Sequence, residues 1–455
     1  MRQIKKYTIF LFSLLVLGGA AQEQTGSSFS LQQAIEYAMK NSPAHLTAML
    51  EEKSADHRRL EITGLGLPQV NGSFDVKNYL AIPVMAVPLN AFNPSLPADS
   101  YTTVQFGTKY NTTAGINASQ LIFNSDYIFG LKAARAYMSL ARIQASSSKA
   151  ELTANVSKAY YTVLITRDRI KLLENAINRL KRTLDEMKAM NEQGLVEVID
   201  VERIEVQHNN LLTEMENATR MTSLSEAALK FHMGLKNSEN VLLSDSLNVN
   251  AEQFQELPVT NLNLDARPDF QALRAQQSLL DLDVKRLKWG YLPTVAAYGT
   301  YQFNRLGNQF DIFENDPGNP IKQWYKAVLV GATVNLNIFD GLQRHHKIQQ
   351  AKITAMKNQY NLANLQLAAE MQSMSAAITY NNAYRSLLNQ KRNMQLAEHV
   401  YDVAQKKFKE GVGSNLEVFT AETSLKESQT NYFVAVYDMI VAKIDYEKAT
   451  GTYNK

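Results

Sequence analysis

Cysteine is absent from the 455-residue chain, which rules out a disulfide framework, a thiol-anchored lipid and a cysteine nucleophile. Catalytic signatures are missing too: there is no His-Glu-x-x-His, no Gly-x-Ser-x-Gly and no phosphate-binding loop. His345 and His346 are the one histidine pair, but neighbours in a helix point in different directions and do not converge on a metal. The residues therefore indicate neither an enzyme nor a cofactor. Charge of one sign is also scarce, with 47 basic against 44 acidic residues and a net charge of +3. Arg2, Lys5 and Lys6 account for all three surplus charges, which argues against a nucleic-acid partner.

Those three residues precede an apolar run from Ile9 to Leu17 and the small residues Gly18 to Ala21. The order is that of a secretory signal peptide over residues 1–21, the alternative being a short buried helix. No later stretch offers the 18 or so uncharged apolar residues that a membrane-spanning helix needs. If the mature chain enters a membrane, it does so as β-strands.

The chain is built twice. Glu192-Gln193-Gly194-Leu195-Val196-Glu197-Val198-Ile199-Asp200 returns as Lys409 to Glu417 around Gly411-Val412-Gly413, at an offset of 411 − 194 = 217. Leu67-Pro68 is answered by Leu292-Pro293, and Leu121-Ile122-Phe123-Asn124 by Asn337-Ile338-Phe339-Asp340. A repeat this long means two halves of one architecture, not a solenoid of short units. In each copy a helical pattern runs into a glycine, turns, and restarts, as at the tip of a helical hairpin.

Four stretches alternate with period two. Val70, Gly72, Phe74 and Val76 oppose Asn71, Ser73, Asp75 and Lys77; Phe106 to Ala118 alternate similarly. Val295, Ala297, Tyr301 and Phe303 share one side of a shorter run, and Val328 to Ile338 form the fourth. One apolar and one polar face over about 10 residues suits an outer-membrane barrel, and equally an ordinary half-buried antiparallel sheet. Loops of about 20 residues join each pair, rich in turn formers such as Pro83, Pro88, Pro94 and Pro97, then Pro317, Gly318 and Pro320. Four strands cannot close a barrel alone, so a barrel would have to be shared between chains.

From Tyr127 to Asn191 there is no proline, and Leu152, Val156, Ala159, Val163, Ile170, Leu173, Ile177, Leu180, Leu184 and Met187 keep steps of three and four, with Thr166 the one polar residue in the series. Leu387, Met394, Ala397, Tyr401, Ala404 and Phe408 repeat the seam in the second half, with Gln390 the polar exception. Some 65 helical residues would span about 100 Å, a stalk rather than a compact domain. Ser30 to Ile62 and Asp269 to Trp289 read as shorter helices, with Ser30 as N-cap of the first. Residues 240–266 lack periodicity and read as a linker or a belt around the stalk.

The opening Ser30-Leu31-Gln32-Gln33-Ala34-Ile35-Glu36-Tyr37-Ala38, the Leu-Pro before each strand pair, the Phe-Asn and Phe-Asp strand ends and the two glycine tips together resemble the TolC-type outer-membrane efflux family. The resemblance implies an α+β membrane protein of two structural repeats. Repeat 1 covers 22–239 (strand pair about 69–122, hairpin about 125–235) and repeat 2 covers 267–455 (strand pair about 294–339, hairpin about 341–450). It implies a homotrimer whose chains share one outer-membrane β-barrel, continued by an α-helical barrel through the periplasm. The implied function is a passive duct of a tripartite efflux or type I secretion system, opened by an inner-membrane pump and a periplasmic adaptor. A non-conducting coiled-coil rod anchored to the outer membrane is the alternative.

The resemblance also implies site residues. Gly194, Leu195, Val196, Gly411, Val412 and Gly413 become the tips that meet the adaptor, and Glu417 stands at a position commonly acidic and lumen-facing, with Thr420 where some members carry a second acid. Glu417, Thr420, Ala421 and Ser424 share one helical face, small and polar as a pore lining would be. Asp200 matches a position that ties neighbouring helices shut; Phe408 stands for a tyrosine and Gly413 for an arginine of that network, so this chain departs from the usual closure. A solvated helix charge is the alternative role for Glu417.

Overall fold

The computed structural model describes residues 27–453 except 96, 248–253, 259–261, 312, 315–317 and 320–322. The leader assigned to residues 1–21 lies outside the described residues. In chain order the elements are β1 (Ser27–Phe29), α1 (Leu31–Asn41), α2 (Pro43–Gly64), β2 (Gln69–Asn78), β3 (Val84–Pro88), β4 (Tyr101–Gln105), β5 (Tyr110–Phe123), α3 (Ser125–Glu192) and α4 (Val198–Met233). There follow β6 (Val241–Leu243), α5 (Pro268–Trp289), β7 (Thr294–Gly307), β8 (Trp324–Asn335), α6 (Gln343–Lys409) and α7 (Asn415–Thr450). They gather into two compact units, one of Met1–Ser42, Asn155–Val249 and Leu396–Phe433, the other of Pro43–Ala154, Asn250–Gln395 and Val434–Lys455.

The second unit holds a four-stranded antiparallel sheet in the order β2-β5-β7-β8. Its register sets Val70 opposite Ala118, Phe74 opposite Ala114, Ile116 opposite Tyr301, and Tyr301 opposite Val328, so these residues share one face. Asn71 faces Asn117, and Ser73 faces Gly115, on the other. The apolar face is open: Phe74 is 64 % exposed and Val330 82 %. Among the described residues, charge enters it near the rim beside the loops. There Arg305 is buried in a 2.9 Å pair with Asp311, and Lys326 sits 5.0 Å over the Tyr301 ring.

Three expectations need correction. The helix read over Ser30 to Ile62 is two helices, because Pro43 drives Ser42 into an extended conformation and then opens α2. The first long loop contains a hairpin, β3 against β4, joined through a 3-10 turn at Leu89–Ala91. The fourth strand ends at Asn335, not Ile338: the chain turns through left-handed Gly341 and Leu342, and the Asp340 carboxylate accepts the Arg344 backbone N–H at 3.1 Å.

In the first unit Ser30 caps α1 in a reciprocal capping box with Gln33. The stretch after α4 is tied down by β6, which pairs in parallel with β1. The α3 seam is buried as its spacing predicts, with Leu173, Leu180, Leu184 and Met187 packed on Val201, Ile204 and Leu211 of α4. Lys181 and Arg182, one step off the seam, are exposed.

Candidate pore tip

Both hairpins turn in the same way. Gly194 and Gly411 each have φ of 72°, in the left-handed region where a Cβ is strained. At the first tip the Gly194 N–H donates to the Asn191 carbonyl (2.8 Å) and the Leu195 N–H to that of Met190 (3.0 Å). At the second, Gly411 donates to Phe408 (3.0 Å) and Val412 to Lys407 (3.0 Å). These paired bonds are Schellman closures, which satisfy carbonyls that a helix end would leave open. Gly413 is constrained differently: a Cβ there would lie 2.9 Å from the Lys407 Cβ and 3.0 Å from the Phe408 backbone nitrogen. The arginine expected at this position would therefore force the turn apart. Leu195 and Val412 project from the turns, 66 % and 77 % exposed, while Val196 packs on the α3/α4 core.

The second helix of each hairpin begins with an acid in its first turn, Asp200 in α4 and Glu417 in α7, where the helix dipole favours negative charge. Ser414 caps α7, its hydroxyl accepting the Glu417 N–H at 3.2 Å. Asp200 pairs with Arg203 of its own helix at 3.4 Å, and no hydrogen bond among the described residues joins it to α6 or α7. Phe408 packs against the α3/α4 cluster and also against the cluster of Tyr401, Ala404, Val418, Ala421 and Leu425 in the second hairpin. An apolar joint thus occupies the place assigned to a hydroxyl.

The polar face expected on α7 is narrower than its spacing suggested. Glu417, Thr420 and Ser424 are exposed, but Ala421 is buried, since it turns toward Tyr401 across the hairpin. The Thr420 hydroxyl donates to the Leu416 carbonyl at 2.8 Å.

Sequence reasoning missed a charged cluster behind the tips. Arg179 of α3 donates through Nη2 to Oε1 of Glu422 of α7 at 3.0 Å, with the Glu422 side chain 8 % exposed. The Arg179 guanidinium lies 5.5 Å over the ring of Tyr401. Burial, reinforced by the Glu422 charge, pushes the Tyr401 hydroxyl up to about 12. One turn on, Glu214 of α4 receives Lys426 of α7 at 2.5 Å and Arg169 of α3 at 2.9 Å. Burial would raise the Glu214 carboxyl, but the two cations outweigh it and hold it below its ordinary value. A signal for Glu422 was available: it lies four residues after Val418 and three before Leu425, so a charge sits in an apolar row. Among the described residues no cluster of His, Cys, Asp or Glu could hold a metal, and no helix is long and apolar enough to cross a membrane.

A sheet with one open apolar face and one polar face, together with duplicated helical hairpins that end in matched glycine turns, defines a β-strand membrane protein with a helical body. The chain belongs to the outer membrane efflux protein family, which matches residues 93–235 and 259–452, one stretch in each half. It is 20 % identical over 448 residues to the probable efflux pump outer membrane protein TtgC of Pseudomonas putida, covering 95 % of this chain and 89 % of that one. Outer membrane protein TolC of Vibrio cholerae is 22 % identical over 350 residues, covering 75 % of this chain and 77 % of its own. The solved structure of VceC, also from Vibrio cholerae, superposes with a TM-score of 0.71 at 15 % identity, over 92 % of this chain and 96 % of VceC. The protein is an outer-membrane efflux channel with its helical body in the periplasm. No catalytic family is indicated.

Proposed function

We propose that the chain is one subunit of a homotrimeric, passive exit duct that a periplasmic adaptor and an inner-membrane pump engage at the tips. The observation that carries this is the sheet. β2 and β8 are its outer strands, so each chain presents two unpaired ladders beside a broad apolar face, and hydrocarbon tolerates neither alone. Three copies joined edge to edge through β2 and β8 satisfy both ladders, direct Phe74 and Val330 into lipid, and turn the polar face inward. The exposed apolar residues Leu195, Val198, Val412 and Leu416 supply the docking tips, and Glu417 lines the narrow end as a ring of three carboxylates.

Reconstitution of the purified chain into planar bilayers tests this reading against a non-conducting rod. The duct gives discrete ion conductance that requires the trimer; a correctly folded, membrane-inserted protein without conductance would leave only the rod.

A further inference from the structure

Strands β2, β5, β7 and β8 meet the helices α2, α3, α5 and α6 at one end and the long loops at the other, so with the helices in the periplasm the loop end is the external one. On the apolar face of β8, Lys326 lies 334 − 326 = 8 residues from Val334. That is about 26 Å along the strand and about 20 Å in height at the usual tilt, near the top of an apolar band about 25 Å tall. Lys326 therefore stands at the level of the outer-leaflet headgroups.

Two exposed lysines at this end are laid on tyrosines of the apolar face. The Lys326 ammonium is 5.0 Å over the Tyr301 ring, which meets Phe303 edge-on at 5.4 Å; the Lys109 ammonium is 5.7 Å over the ring of Tyr110, which packs on Phe310 at 5.6 Å. A ring holds an ammonium through its quadrupole and leaves N–H donors for an anion. The remaining cation of the rim is spent: Arg305, its side chain 2 % exposed, pairs with Asp311 at 2.9 Å and donates to the Glu314 carbonyl. Neither lysine has an acidic partner among the described residues. Two positive charges are thus left uncompensated among interfacial aromatics, where anionic headgroups are attracted.

The register gives their separation. Lys326 is opposite Phe303 and Tyr110 opposite Gly307, so the two seats differ by 307 − 303 = 4 residues along the strands and by two strands across. That is about 13 Å by about 10 Å, too far for one phosphate to touch both seats while each lysine stays on its ring. Each seat takes its own phosphate.

We propose that Lys326 on Tyr301 and Lys109 on Tyr110 bind the phosphate groups of an anionic outer-leaflet lipid at the external rim of the sheet. This rests on the lipid-facing assignment of the apolar face made above.

The test uses the full chain, purified as the trimer in neutral detergent and titrated with lipid A bisphosphate, with its dephosphorylated form, or with inorganic phosphate. Native mass spectrometry counts the bound lipid. Wild type binds the bisphosphate in preference to the dephosphorylated form, and excess inorganic phosphate does not displace it because the acyl chains are held as well. Lys326→Gln with Lys109→Gln lowers the affinity for the bisphosphate by about tenfold, as loss of two cations near an anionic headgroup requires. The same positions changed to Arg keep it. Lys77→Gln, at an exposed lysine on the opposite, polar face, leaves binding as in wild type. Should the double variant not assemble, Lys326→Gln alone is read instead. Equal binding of the dephosphorylated lipid, displacement by inorganic phosphate, undiminished binding in an assembled Gln variant, or failure of both Gln variants to assemble overturns the seat. Loss of lipid in a trimer that still conducts leaves the duct standing, whereas a wild-type trimer that never conducts counts against the duct.

Discussion

Gly413 and Glu417 show how far a single position determines the tip. Gly413 is held by contact, since the nearest atoms to an added Cβ are the Lys407 Cβ and the backbone of Lys407 and Phe408, so the turn closes on the absence of a side chain. Gly194 and Gly411 are held by φ alone, with open space around them. The duplicated glycines were legible from sequence because a helix C-terminus in the left-handed region selects glycine. The separate reason for Gly413 was not, since it depends on how closely the backbone returns to Lys407. Glu417 is exposed in the first turn of α7, at the end of the helix where the dipole favours negative charge. Three such carboxylates around a narrow axis attract cations and repel anions. Glu417→Gln is expected to lower cation-over-anion selectivity in bilayer recordings and to weaken block by multivalent cations, with trimer formation intact. Reversal potentials under a salt gradient measure the first effect; an assembled variant with unchanged reversal potential would move the selectivity ring elsewhere.

At the level of elements, the seam of α3 decides whether the hairpin holds. Leu180 is 5 % exposed and packs among Leu173, Leu184 and Ile204, so an aspartate there must ionise in an apolar row or give up its charge. Leu180→Asp is expected to lower stability by at least about 3 kcal/mol, combining lost burial with an unpaired charge. Lys181→Asp, one step round the helix at an exposed position, stays within about 0.5 kcal/mol. Chemical denaturation followed by circular dichroism compares the two, and equal losses would contradict the heptad assignment. This seam was readable in the sequence because periodicity is a local property that long helices repeat many times. What escaped reading is non-local or short. The strands β3 and β4 have five residues each, too few for alternation to register, and β1 and β6 have three residues each and pair across more than 200 positions. The Arg179–Glu422 pair joins helices from different halves of the chain, and no spacing rule connects residues so far apart.

For the whole molecule the controlling quantity is unpaired edge. The four-stranded sheet can cover its own interior ladders, between β2 and β5, β5 and β7, and β7 and β8, but not the outer sides of β2 and β8. In detergent the mature chain is therefore expected to run as a trimer, and a monodisperse monomer with full strand content would contradict the shared barrel. The orientation of that barrel can be tested separately. Phe74 and Ser73 are adjacent in β2, yet the register places Phe74 with Ala114 on the apolar face and Ser73 with Gly115 on the polar one. If the apolar face meets lipid, a lysine at Phe74 must lie in hydrocarbon, at a cost of about 2–4 kcal/mol per chain near the midplane. That cost is multiplied by three in the assembly. A lysine at Ser73 faces the aqueous interior and costs little. Phe74→Lys is thus expected to lower the temperature at which the detergent-solubilised trimer dissociates, while Ser73→Lys leaves it near wild type. Heated gel electrophoresis reads both, and the reverse ranking would mean that the sheet presents its polar face outward, which no lipid-embedded barrel can sustain.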